Sequence, residues 1–93
     1  MAFTKDTAAA RAKQDLAKRL GISEDGIVIG SITEKDFPDA SLGAPVSDEM
    51  SAQMISSGWQ IMLAASDGSY EYRADKYQLR LYDLDGSNYV IVA

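Results

Sequence analysis

The chain has 93 residues, of which 46 % are apolar and 25 % charged, a size and composition that fit one globular domain spanning 1–93. Its net charge of −5 argues against a nucleic-acid partner, because phosphate binding needs a cationic footprint, and is compatible with basic protein partners or with nothing more than solubility. Neither cysteine nor histidine occurs, which removes disulfides, thiolate chemistry, the usual general base and the commonest zinc ligand.

Thr4 to Leu20 reads as the long helix. Thr4, Asp6 or Thr7 caps its start, and Ala9, Ala12, Leu16 and Leu20, joined by Ala17, form an apolar stripe at helical spacing. Lys18 and Arg19 suit the last turn, and Gly21 is the expected left-handed terminator. A stripe made mostly of alanine lets such a helix lie close against a sheet.

After the turn at Ser23–Gly26, residues Ile27 to Phe37 form a β-branched strand, and Gly30 inside it predicts a bulge or a sharp bend. Phe37 to Met50 is then an irregular loop holding both prolines, Pro38 and Pro45, and Gly43. A connection of that length in a small domain is packed, functional or both.

Ser51 to Ile55 reads as a short strand, and Ser56-Ser57-Gly58 as a turn or bulge. In Trp59 to Ala65, Trp59, Ile61, Leu63 and Ala65 share one face. Asp67-Gly68 predicts a hairpin with Ala65 facing Tyr70, Leu63 facing Tyr72 and Ile61 facing Ala74. Tyr77 to Leu84 alternates again, with Gln78, Arg80 and Tyr82 opposite Leu79 and Leu81. Asp85-Gly86 closes a second hairpin, which sets Leu81 against Val90 and Tyr82 against Tyr89. The expected architecture is α+β: one N-terminal helix on an antiparallel meander of about five strands, similar at the level of fold to the cystatin-like wrap.

Several constellations bear on chemistry. Asp83 to Asn88 resembles the start of a calcium loop, but Asn88 holds the position that needs glycine and the twelfth ligand is missing, so a hairpin turn accounts for it. Ser41, Ser47, Ser51, Ser56 and Ser57 lack a histidine and any S-x-x-K or G-x-S-x-G spacing. Asp36, Asp39, Asp48 and Glu49 are acidic groups in or beside the loop, which read as solvated turn residues before they read as an acid–base pair. No cofactor or metal is expected. No apolar run approaches the ~20 residues of a membrane span, and the N-terminus reads as lacking a signal-peptide core.

Four pieces of the chain belong to a pattern: Asp15-Leu16-Ala17-Lys18-Arg19-Leu20-Gly21, Phe37-Pro38-Asp39-Ala40-Ser41-Leu42-Gly43-Ala44-Pro45, Gly58-Trp59-Gln60-Ile61 and Tyr70-Glu71-Tyr72. Together they resemble a family of small, largely uncharacterised bacterial domains, often found in secreted proteins or lipoproteins, with a W-P-D-A-S-L-G-C-P loop. The resemblance covers about residues 8 to 75. Phe37 replaces the family's tryptophan and keeps an aromatic anchor; Ala44 replaces its cysteine, so no disulfide pins this loop. The resemblance implies an extracytoplasmic location, whereas the absence of cysteine and of a signal segment is compatible with the cytoplasm.

The leading functional reading is a non-catalytic protein-binding module, with a peptidase-inhibitor-like wedge as one version by analogy. Its candidate residues are Pro38, Asp39, Ser41, Leu42 and Pro45 of the loop and the aromatic–cationic set Arg80, Tyr82 and Tyr89 of the sheet. The alternative is a structural or self-associating domain whose loop is packed over the core, with Phe37 and Leu42 buried. A small hydrolase using the loop carboxylates comes third. An unpaired edge strand offers a further route to a partner or a second copy.

Overall fold

The structure, a computed structural model, describes residues 2–47, 49–50 and 52–93. Thr4 starts the helix: its hydroxyl accepts from the Thr7 amide, and the Thr7 hydroxyl accepts from the Thr4 amide, a reciprocal cap. Helix α1 (Lys5–Leu20) ends at Gly21, whose φ of 67° is left-handed, with the Ile22 amide donating to the Ala17 carbonyl at 3.1 Å. Ala8, Ala9, Ala12, Leu16 and Ala17 form its buried face; Leu20, expected among them, is half-buried at the edge of the cluster.

Five strands follow, β1 (Val28–Phe37), β2 (Ser56–Ala65), β3 (Gly68–Ala74), β4 (Leu79–Leu84) and β5 (Ser87–Val92). They pair antiparallel in chain order, so β1 and β5 are the two edges and the sheet is not closed into a barrel. Ile61, Leu63, Tyr72, Ala74, Leu79 and Leu81 face the helix and form the main core with Ile27. Tyr72 is fully buried, and its hydroxyl donates to Asp15 at 2.8 Å; Asp15 also accepts from Arg19 at 2.7 Å. Burial, and then this carboxylate, hold the phenol well above its usual range. The bulge expected at Gly30 is present, as a register shift between Ile29 and Ser31.

Expectations at three places in the chain need correction. No strand forms over 52–55, and Ser51 lies outside the described residues. Ser56 to Gly58 instead opens β2, with Ser56 opposite Phe37 and Ser57 opposite Asp36. Gly58 is a close approach and not a turn, because a Cβ there would lie 2.0 Å from the Ala74 carbonyl oxygen.

The β2–β3 turn consists of Ser66 and Asp67, and Gly68 already belongs to β3. Pairing is therefore displaced by two residues, with Leu63 opposite Tyr70 and Ile61 opposite Tyr72. A shift of two keeps each side chain on its expected face, so the core is the one the pattern requires.

The third correction reaches a candidate residue. Asp83 and Asp85 both take left-handed φ values, 53° and 51°, and the Asp83 amide donates to the Asn88 side chain at 2.8 Å. The ladder slips by one residue between Leu81 and Leu84, placing Tyr89 opposite Leu81 and Val90 opposite Arg80. Tyr89 consequently leaves the face of Tyr82 and lies on the helix side, with the Arg19 guanidinium 4.7 Å from its ring centre.

Candidate functional site

The connection from β1 to β2 runs over residues 38–55 and crosses the face of the sheet opposite the helix. Asp39 organises its first turn. Its Oδ1 accepts from the Ser41 amide at 2.9 Å, the Ser41 hydroxyl at 2.6 Å and the Gly43 amide at 3.1 Å. The Ser41 hydroxyl and then the Gly43 amide hold its carboxyl below the usual carboxylate range. Leu42 and Gly43 are consecutive left-handed residues, φ 60° and 65°, and this turns the Leu42 side chain inward until it is fully buried. Gly43 is required twice over, because a Cβ would meet Arg73 Nη1 at 2.8 Å.

The sheet's outer face reads this loop through its carbonyls. Gln78 Nε2 donates to Ala40 at 2.7 Å, Arg73 Nη1 to Leu42 at 3.0 Å and Gly43 at 3.2 Å, Arg80 Nη1 to Ala44 at 3.0 Å, and Asn88 Nδ2 to Pro45 at 2.9 Å. Arg73 and Arg80 are direct cross-strand neighbours, a repulsive pair if left alone. Each has its own carboxylate: Glu71 takes Arg73 Nε at 2.7 Å, and Glu49 takes both terminal nitrogens of Arg80 as a fork. The fork, by hydrogen bonding, holds the Glu49 carboxyl below its ordinary range. Arg73 also lies against two rings, 3.6 Å from the centre of Tyr82 and 5.4 Å from that of Phe37.

The candidate residues thus fall into three places. Pro38 and Pro45 are exposed, and Asp39 is half-buried inside its own turn. Ser41, Leu42 and Arg80 are buried, at 1 %, 0 % and 5 % exposure, so they hold the loop down and offer nothing to a partner. Tyr82 is half-buried beside Arg73, while Tyr89 is across the sheet from it. The expected Arg80–Tyr82–Tyr89 patch is not formed, for the reason of register given above. A wedge that inserts Leu42 is likewise not what this loop presents.

Among the described residues the loop carboxylates are taken up by different hydrogen-bond partners. Asp36 accepts from the Ser57 hydroxyl at 2.8 Å, Asp39 and Glu49 are engaged as described, and Asp48 lies outside the described residues. Among the described residues no group of three or more possible metal ligands forms. Sequence reasoning missed Arg73, Gln78, Glu49 and Asn88 as loop-holding residues. The available signal was that long, multi-donor side chains share the outer face with a loop whose carbonyls need partners.

Two of the open surfaces among the described residues lie beside the loop and along β1. A cleft of about 500 Å³ beside the loop is lined by Ala40 and by the exposed Met54, Ile55 and Tyr77. The other is the edge of β1, exposed along its length except at Ile32 and Phe37. Glu34 pairs with Trp59 and Asp36 with Ser57, on the helix side; Lys35 lies on the loop side, its ammonium 5.8 Å from the Phe37 ring centre.

No curated protein and no solved structure matches the chain. A family described as a domain of unknown function matches residues 9–81, a span that takes in most of α1, the whole loop and both loop-holding arginines. The chain therefore belongs to that family, DUF8738.

Proposed function

We propose that the domain is a non-catalytic protein-binding module whose partner adds as an extended segment to the edge of β1. The observation that carries this reading is the exposure of that ten-residue strand, the longer of the sheet's two edges. An edge strand's outward N–H and C=O groups are a template for another strand, and main-chain pairing of this kind is a common mode of peptide capture. The opposite edge, β5, is six residues long, and its Asn88 is tied to the loop at Pro45. In this reading the loop is a strut: it stiffens the outer face of the sheet and leaves β1 to do the binding.

The test is selection from a displayed random-peptide library, followed by hydrogen exchange on the complex. Selected peptides are expected to slow exchange along Val28–Phe37 while loop amides stay as they are in the free protein. Protection confined to the cleft at Met54, Ile55 and Tyr77, or to the loop, would sink the edge reading.

A further inference from the structure

The chemistry of the β1 edge specifies its occupant further, an inference that rests on the edge-binding reading above. We infer that the incoming strand is heterologous to this chain and carries two basic residues at alternate positions with an acidic residue between them. The bulge at Gly30 leaves Ser31–Phe37 as the regular part of the edge. Within it the two faces differ in sign. Glu34 and Asp36 share the helix face with Ile32, and Lys35 shares the loop face with Phe37.

A second copy fits this pattern poorly. Two identical edges join antiparallel through a two-fold axis normal to the sheet, an operation that keeps each face on its own side. In the register that lays residues 31–37 fully on themselves Glu34 would lie beside its own counterpart, and in the next, centred on Lys35, Glu34 would lie beside Asp36 and Lys35 beside Lys35. Like charges facing each other across strands are destabilising. Parallel pairing would alternate the signs, but it is the weaker ladder.

A strand with the inverse pattern meets complementary charge at three successive positions. At this edge there is also a hollow of about 320 Å³ lined by Glu34, Asp36, Ser57 and Trp59 together with two cations, Lys35 and Lys76. A lysine or arginine set opposite Glu34 would have two carboxylates and the half-buried Trp59 ring beside it, carboxylates that Lys35 and Lys76 balance in the free protein. The chain's net charge of −5 favours the approach of such a segment at long range.

The experiment uses two end-blocked peptides, Thr-Lys-Glu-Lys-Thr-Val and its charge-reversed form Thr-Glu-Lys-Glu-Thr-Val, titrated into the full chain and followed by amide chemical shifts. The first is expected to shift β1 amides and to bind about tenfold more tightly at low salt, a margin that shrinks at about 0.5 M salt. The triple variant Glu34→Lys, Lys35→Glu, Asp36→Lys is expected to invert the preference. These positions are exposed, so the fold should survive, and the wild-type comparison decides the matter without the variant. Equal affinity of both peptides at β1 would overturn the partner chemistry and leave the edge reading standing. Failure of both to move β1 amides would overturn the edge reading itself. A dimer at micromolar concentration with protected β1 amides would show that the occupant is a second copy, and would overturn the inference.

Discussion

The two faces of the sheet are covered by different physics. The helix side is an apolar interface of alanines against Ile61, Leu63, Tyr72, Leu79 and Leu81, with one polar cluster, Asp15, Arg19 and Tyr72, set into it. The loop side has Phe37, Leu42 and Ala44 inside, but its register comes from Arg73, Gln78, Arg80 and Asn88 donating to named carbonyls. Apolar packing is non-directional and tolerates small displacements. A set of side-chain hydrogen bonds to successive carbonyls does not. The helix layer should therefore govern how stable the domain is, and the loop layer how uniquely one covering segment is held.

The largest effects test that division. Leu16→Ala and Leu42→Ala each remove a fully buried side chain, and each should cost about 2–5 kcal/mol. Urea unfolding is expected to lower both midpoints, but hydrogen exchange should separate them. Leu16→Ala should speed exchange throughout the sheet, whereas Leu42→Ala should speed it first at Ser41, Gly43 and Ala44. Indistinguishable exchange profiles would mean the two layers form one cooperative unit. Next in size is Arg80→Ala, which strands the Ala44 carbonyl and the Glu49 carboxylate and should cost about 1–3 kcal/mol. A double-mutant cycle with Glu49→Gln reads the coupling, and a value near zero would deny the fork any part in holding the loop.

The same contrast explains what the sequence made visible. The helix stripe, the Gly30 bulge and the inward faces of β2, β3 and β4 all follow from local periodicity, and the structure has them. Register was less legible: Asp67-Gly68 marks a turn without saying which residues occupy it, and a slip of two leaves the apolar pattern unchanged. The slip of one at Asp83–Asp85, which carried Tyr89 to the other face, depends on two aspartates in left-handed conformations and on Asn88 as a local acceptor. The loop clamp was least legible of all. Its donors lie 30 to 43 residues beyond the carbonyls they meet, so no local pattern announces them.

A smaller effect sharpens the claim about the loop. Gly43→Ala places a methyl 2.8 Å from Arg73 Nη1 on a residue held at φ 65°, and about 1–2 kcal/mol should be lost. Arg73 is the group that must move, so the Gly43→Ala, Arg73→Lys double variant is expected to recover part of the loss. No recovery would place the whole cost in the backbone.

The smallest expected effect is the acid response of the loop. Asp39 is held below its ordinary range by the Ser41 hydroxyl and the Gly43 amide, and Glu49 by Arg80, so both have lower values folded than unfolded. A depressed carboxyl contributes stability above its unfolded value, near pH ~4, and loses it as pH falls through the folded value. Protection of the Ser41, Gly43 and Val46 amides, which face these carboxylates, should therefore decline as pH falls below about 4. Amides of β2 and β3 under the helix should decline less over the same range, because the cover there is mainly apolar packing. Asp39→Asn keeps an oxygen acceptor for both amides while removing the charge, so it should flatten the response at Ser41 and Gly43 and leave that at Val46. A decline shared equally by loop and sheet would mean that acid acts on the domain as a whole, and the separation of the two layers would fail at its most delicate point.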